Sequence, residues 1–359
     1  MQPMTSKERI HAVLRHQMPD RVPINEFIYS RNLYQEVIGH KPAFYNAEDV
    51  MDCAHTLGLD STIMPIGGFA GIRNFDEGQK RFQDEWMITY QKEEEVSWPG
   101  DVPVGFPLKD RADWKNYTMP DIHKQGRLAQ IEIAVRKARE YEMAVFGVIR
   151  GPFTATWLLF GYEQFSMLLF EDPDLIDDVI AAVTDFFIGG GKMLVEAGVD
   201  AVLFADDYGG ATGPLMSPAH YRKHVWPQLS RLVTAIHATG APVIMHSDGD
   251  LRKLLPDIAP TGIAGYHPME RKANMDLAQI KRDYGQQLVL IGNVDNQGVL
   301  VNGSVDEVIA ATKACLRIGA PGGGYILGSD HSVHDDMPNA NIFAMIETGK
   351  QYGAYPLQL

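Results

Sequence analysis

"PVIMHSDGDLRKLL", residues 242–255, decides how this chain is read. Val243, Ile244 and Met245 favour a buried strand, and the run then passes without a break into His246, Ser247, Asp248, Gly249 and Asp250. A helical pattern follows at once, with Asp250 placed to cap it at Leu251. A buried strand that ends in an imidazole and carboxylates, and turns directly into a helix, is one unit of a parallel β/α layout.

Working outward, the same unit recurs. Strand-like segments fall at 21–27, 60–66, 143–150, 200–207, 242–249, 263–270, 287–295 and 323–330. Helix starts between them are explicit: "TSKE" (5–8) and "SVDE" (304–307) have the capping-box pattern, and "SPAHY" (217–221) puts a serine cap before a first-turn proline. Gly198, Gly240, Gly285 and Gly319 close helices before the next strand. Parallel neighbours need crossovers, so eight such strands predict a (β/α)8 TIM barrel rather than a doubly wound open sheet. The 359 residues exceed the usual barrel length of about 250. The surplus is assigned to an N-terminal helical lead-in and to a β-hairpin-like insertion after strand 2, about residues 67–118, where "KRFQDEWMITYQKEEEV" has the pattern of paired strands. Without linker or internal repeat, residues 1–359 read as a single domain.

A net charge of -14 without any lysine or arginine run argues against nucleic acid. No apolar run is long enough to cross a bilayer, the N-terminus has no secretion-signal core, and two cysteines make no disulfide framework. The expectation is a soluble, cytoplasmic protein that acts on a small molecule.

In a barrel of this kind chemistry gathers at the C-terminal strand ends. Those ends carry Glu26, Arg150, Asp206, Asp207, His246, Asp248, His267, Glu270, Asn293, Asp295, Asp330 and His331. Such groups are costly to bury unless they are paired, hydrogen-bonded or metal-bound. His267 either fixes the turn before Pro268 or faces a substrate, and Asn293 and Asp295 either order loops or belong to the site. His220 and His224 are four apart on a helix but lack the intervening glutamate of a zinc motif, so they are assigned to a solvated face. "GGFAG" (67–71) and "PGGGY" (321–325) lack the spacing of a phosphate loop and read as tight turns.

Three long runs carry a family resemblance: "SKERIHAVLRHQMPDRVPINEF", then "ADDYGG" with "SPAHYRKHVWP", then the stretch from "HSDGDLRKLLPDIAP" through "LIGNVD" to "PGGGYILGSDHSVHDDMP". On these the chain resembles the superfamily of uroporphyrinogen decarboxylase and the corrinoid-dependent methyltransferases, nearly end to end. The resemblance implies the same barrel. The decarboxylases' arginine-rich segment after the first strand is replaced by "NEFIYSRN", with Arg31 alone, and their aspartate after the second strand by Met64 and Pro65. The sequence is therefore closer to the methyltransferase branch. That branch's His-x-Cys-Gly lies over "HSDG", which implies metal ligands His246 and Asp248, and its last cysteine falls at His331.

A nitrogen and oxygen donor set still suits zinc and makes a harder Lewis acid than two thiolates would, one that prefers oxygen. The expected activity is zinc-dependent transfer of a methyl group between a small methyl donor or acceptor, such as a methyl ether undergoing O-demethylation, and a corrinoid on a separate partner protein. Asp206, Asp207, Glu270 and Asp330 are the expected acids. Glu26, Tyr29, Arg150, Tyr208, His267 and Asn293 are expected around the substrate, with Trp157 and Phe69 adding aromatic walls. The alternatives are a decarboxylase-like lyase and a non-catalytic small-molecule-binding barrel.

Overall fold

A computed structural model describes residues 3–67, 80–92 and 101–358. Seven strands form one curled parallel sheet: β1 (Ser61–Pro65), β2 (Ala144–Arg150), β3 (Ala201–Ala205), β4 (Val243–His246), β5 (Gly265–His267), β6 (Val289–Ile291) and β7 (Tyr325–Ile326). They lie in chain order, each parallel to the next, with helices in the crossovers. This is the arrangement of a TIM-like barrel. The remaining candidate strand, 21–27, is irregular, because Pro23 has no N–H to give to a ladder. It nevertheless touches both edges: Asn25 bridges Ser61 of β1, and Ile24 bridges Leu327 just after β7, both in parallel. The segment 143–150 ends with its strand at Arg150, whereas those at 200–207, 242–249, 263–270, 287–295 and 323–330 run past the observed strand ends, since their polar C-terminal residues turn into loops.

Two-residue alternation sorts the strands into layers. Ala144, Phe146 and Val148 of β2, Ala201 and Leu203 of β3, Ile244 of β4, Val289 and Ile291 of β6 and Ile326 of β7 fill the inside of the sheet. The other faces pack on the helices. Helix α1 (Ser6–Leu14), capped by Thr5 and Glu8, buries Ile10, Val13 and Leu14 against the inner layer. Continuing the inner register by two residues on each strand reaches Arg150, Ala205, His246 and His267. These pair in that order across β2 to β5.

After β1, the described residues of the expected insertion form a three-stranded antiparallel sheet of Arg81–Gln83, Thr89–Gln91 and Val102–Gly105. Phe69, most of "GGFAG" and the end of "QKEEEV" lie outside the described residues. Among the described residues no helix is long and apolar enough to cross a membrane.

The end of the sheet near α1 is held by Asp60, which is fully buried. Its carboxylate accepts from Arg9 Nη1 at 2.6 Å, from Arg21 Nη1 at 2.7 Å and from the Ile24 N–H at 2.8 Å. Arg9 also grips Asp20. Removing one partner of such a network strands the others, so Asp60→Ala should lower the unfolding free energy by about 3–5 kcal/mol in a urea titration. A loss below about 1 kcal/mol would show the network to be solvated and expendable.

Candidate functional site

The inner layer at the strand ends places His246 at the centre of a cluster. Its Nε2 lies 3.8 Å from Asp207 Oδ1 and 3.8 Å from Asp248 Oδ1. His331 Nε2 sits 3.0 Å from Asp248 Oδ2. One ligand atom each from His246, Asp248 and His331 fall within 4.8 Å of one another. Behind His246, its Nδ1 meets Nδ1 of His267 at 2.7 Å, and the His267 ring stacks on Phe27 with centroids 4.3 Å apart. Only one proton fits between two Nδ1 atoms. Burial drives the His267 pKa well below the usual histidine value. A proton on His246 Nδ1, donated to His267, leaves the His246 Nε2 lone pair facing the carboxylates.

The loop after β4 is held tightly. Gly249 adopts φ +82, and a Cβ there would come within 2.2 Å of the Gly209 carbonyl carbon. The glycine of "HSDG" is thus required by a close backbone approach. The Asp248 N–H donates to Asp207 Oδ1 at 3.1 Å, and the Gly249 N–H to Glu270 Oε2 at 3.0 Å. Loops after β3, β4 and β5 are tied together at the metal-ligand candidates.

Burial raises the Asp248 pKa, but the His246 and His331 imidazoles outweigh it and hold the carboxyl well below the usual range. For His331 burial lowers the pKa and Asp248 more than reverses it, to about 9. Burial and the Asp248 charge both raise Asp207. Asp248 Oδ1 is buried without a hydrogen-bond donor. An orphaned carboxylate oxygen between two imidazole nitrogens fits a cation, and the N2O donor set fits zinc with a position left open.

Several other candidates serve the backbone. Asp206 accepts from the Phe153 and Thr154 N–H groups at 3.1 and 2.6 Å, starting the helix Pro152–Phe160, and burial pushes its pKa up to about 7. Asp330, raised by burial to about 6, accepts from the N–H groups of Arg271 and Asn296. Glu26, raised by burial to about 8, holds the Ser329 N–H and hydroxyl. Asn293 donates to the Met269 carbonyl at 2.9 Å. Tyr208 is packed between Phe153 and Tyr221.

Two expectations need correction. Asp250 turns back on Arg252 rather than capping a helix at Leu251, because the next helix begins only at Leu255. His224 is buried on Asp177 at 2.6 Å instead of lying on a solvated face, since the helix carrying it packs on Pro173–Ala197.

Beside the cluster opens a cavity of about 650 Å³. Tyr29, Arg150, Asp207, Glu270, Asp330 and His331 line it at the strand ends. Its far wall is aromatic: Trp86 stacks on Phe187 at 5.7 Å and meets Phe186 edge-on, with Trp157 and Tyr90 nearby. Arg127 lies 5.2 Å over Phe186 and forms two bonds to Glu85, at 2.7 and 2.8 Å. Of this wall, sequence reasoning named Trp157 and missed Trp86, Phe186 and Phe187. Phe186 and Phe187 look like core residues of a long helix, and Trp86 and Glu85 belong to the antiparallel sheet after β1.

A family model for uroporphyrinogen decarboxylase (URO-D) matches residues 98–352. The chain belongs to the uroporphyrinogen decarboxylase family. Within it, the chain is 27% identical over 360 aligned positions to the methylcobamide:CoM methyltransferase MtbA of Methanosarcina mazei, covering 97% of this chain and 98% of that protein. A uroporphyrinogen decarboxylase of Myxococcus xanthus is 30% identical but matches 63% of this chain and 64% of its own length. A solved methyltransferase structure from Methanosarcina mazei superimposes with a TM-score of 0.79, covering 98% of this chain and all of that one at 22% identity, and so shares the fold.

Two outcomes follow for metal binding. A metal at His331 must displace its proton, so zinc affinity should rise about tenfold per pH unit from pH 6 and flatten above the His331 pKa of about 9. Competition with a chromophoric chelator would measure this, and a flat profile would remove His331 from the ligand set. His267→Ala should weaken zinc about 10- to 100-fold in the same assay by freeing the His246 ring.

Proposed function

We propose that this chain is a zinc-dependent, corrinoid-linked methyltransferase, moving a methyl group between a small methyl ether and the corrinoid of a separate protein. The observation that carries this reading is the His246, Asp248 and His331 cluster, with its orphaned carboxylate oxygen, at the edge of an aromatic-walled cavity. Relatives named as methylcobamide:CoM methyltransferases, matched along almost their whole length, support the methyl-transfer half of it. The acidic character of the strand ends supports it against a decarboxylase, whose polycarboxylate substrate needs cations.

His246 Nε2, the Asp248 carboxylate and His331 Nε2 would hold the ion, which when bound supplies a Lewis acid for the ether oxygen. His267 keeps the His246 ring oriented, and the Gly249 turn keeps Asp248 beneath it. Asp207 lines the cavity and holds its proton more firmly than an ordinary aspartate. In demethylation the carbon–oxygen bond breaks with its electron pair staying on oxygen, the methyl group passes to the corrinoid, and Asp207 can give its proton to that oxygen. Glu270 faces the same space while its Oε2 secures the Gly249 N–H. The aromatic wall shields the reacting carbon from water.

Elemental analysis of untagged, dialysed protein tests the foundation. About one equivalent of zinc is expected in the wild type and little in a His246→Ala/His331→Ala double variant. Methyl transfer from methyl ethers to a cob(I)alamin protein should fall at least about 100-fold in the variant while its circular dichroism is unchanged. Absence of metal from the wild type after zinc is supplied would sink this reading and favour acid–base decarboxylation.

A further inference from the structure

Asn296 follows the loop after β6 and is 5% exposed. Its backbone N–H donates to Asp330 Oδ1 at 2.8 Å, and its Nδ2 donates to the Ser332 carbonyl at 3.0 Å. That second bond settles which end of the amide is nitrogen. The remaining atom, Oδ1, is buried without a donor. The residue lines the cavity next to His331 and Ser332, and the Ser332 hydroxyl is already engaged with His331 Nδ1 at 2.7 Å. Among the other residues lining the cavity, Trp157 has an Nε1 that is a buried donor without an acceptor. Trp157 lies one helical turn beyond Thr154, whose Oγ1 accepts from the Asp207 N–H at 3.1 Å. An unpartnered donor and an orientation-fixed acceptor therefore belong to residues lining the same cavity as the His331 end of the metal-ligand cluster.

A substrate that is only an ether offers lone pairs. It can satisfy Trp157 but leaves Asn296 Oδ1 buried and unpaired, at the cost of that atom's desolvation. An O–H or N–H on the substrate would remove that cost. Of these donors, an O–H gives a strong hydrogen bond to a neutral amide oxygen without bringing a charge to be desolvated among the rings. The aromatic wall calls for an aromatic ring. We propose that Asn296 is a specificity-determining residue, accepting a hydrogen bond from a free hydroxyl on an aryl methyl ether, so that the substrates are methoxyphenols rather than fully methylated arenes. This rests on the methyl-ether reading above and narrows it.

Calorimetric titration with 2-, 3- and 4-methoxyphenol, methoxybenzene and 1,2-dimethoxybenzene tests it without any methyl transfer. Each is run on zinc-loaded and on chelator-treated protein, so that a phenol bound to the metal is not mistaken for one bound to Asn296. At least one methoxyphenol should bind about 10- to 100-fold tighter than methoxybenzene in both states. Asn296→Leu should bring that ratio to within about threefold of unity while methoxybenzene affinity changes little. A ratio near one in the wild type overturns the proposal before any variant is made, and leaves the methyl-ether reading standing if the ethers bind. A ratio that persists in folded Asn296→Leu also overturns it. Failure of every aryl ether to bind overturns both.

Discussion

The arrangement depends on a simple constraint: in a parallel strand, every second side chain faces the same way. Ile244 is inside the sheet because the apolar pattern puts it there, and His246, two residues on, has no choice but to follow. The same rule carries Arg150, Ala205 and His267 to one level, paired across four neighbouring strands. Ala205 matters by its small size in that row, standing between Arg150 and His246. A one-residue slip of β4 would turn Met245 inward and send His246 to the helix layer. The site is thus specified by the core beneath it.

Around that row, most of the buried carboxylates are occupied with holding loops. Asp206 starts a helix, Asp330 joins the loops after β5 and β6, and Glu26 ties the irregular first segment to the loop after β7. Asp60 does similar service at the far end. Against this background the unsatisfied oxygen of Asp248 stands out by its place, on a carboxylate set beside the His246 and His331 imidazoles. Part of the acid counted in the composition is thus structural at the level of the fold.

How much was legible in the sequence follows from the range of the signals. The strands and their order were readable because apolar runs ending in polar residues and capped helix starts are local patterns, and the chain order of the parallel sheet follows from the crossovers. His246, Asp248 and His331 were readable partly from "HSDG" and partly from family resemblance, and they do converge. The separation of Asp207 from Asp206 was not readable, since adjacent residues alternate faces and only the path of the loop shows which one caps Phe153 and Thr154. Apart from Trp157, the aromatic wall was hidden for another reason: Phe186 and Phe187 satisfy a helix core pattern whatever they line. Asn296 had no signal at all, because an unpaired atom is a property of the assembled neighbourhood.

The seam at residues 22–29 has a consequence for how the molecule comes into being. Ile24 and Asn25 sit between Ser61 and Leu327, Glu26 holds Ser329, and Ile28–Tyr29 pairs with Val333–His334. Apart from Ser61, these partners are about 300 residues away in the chain, so their union carries a large loop-closure entropy and a high contact order. During synthesis the sheet can grow strand by strand in order, but its first segment must wait, half-paired, until the eighth turn of the pattern leaves the ribosome. His331 arrives in that same final stretch. Ring closure and completion of the metal-ligand cluster are therefore one event, and a truncated or stalled chain holds neither.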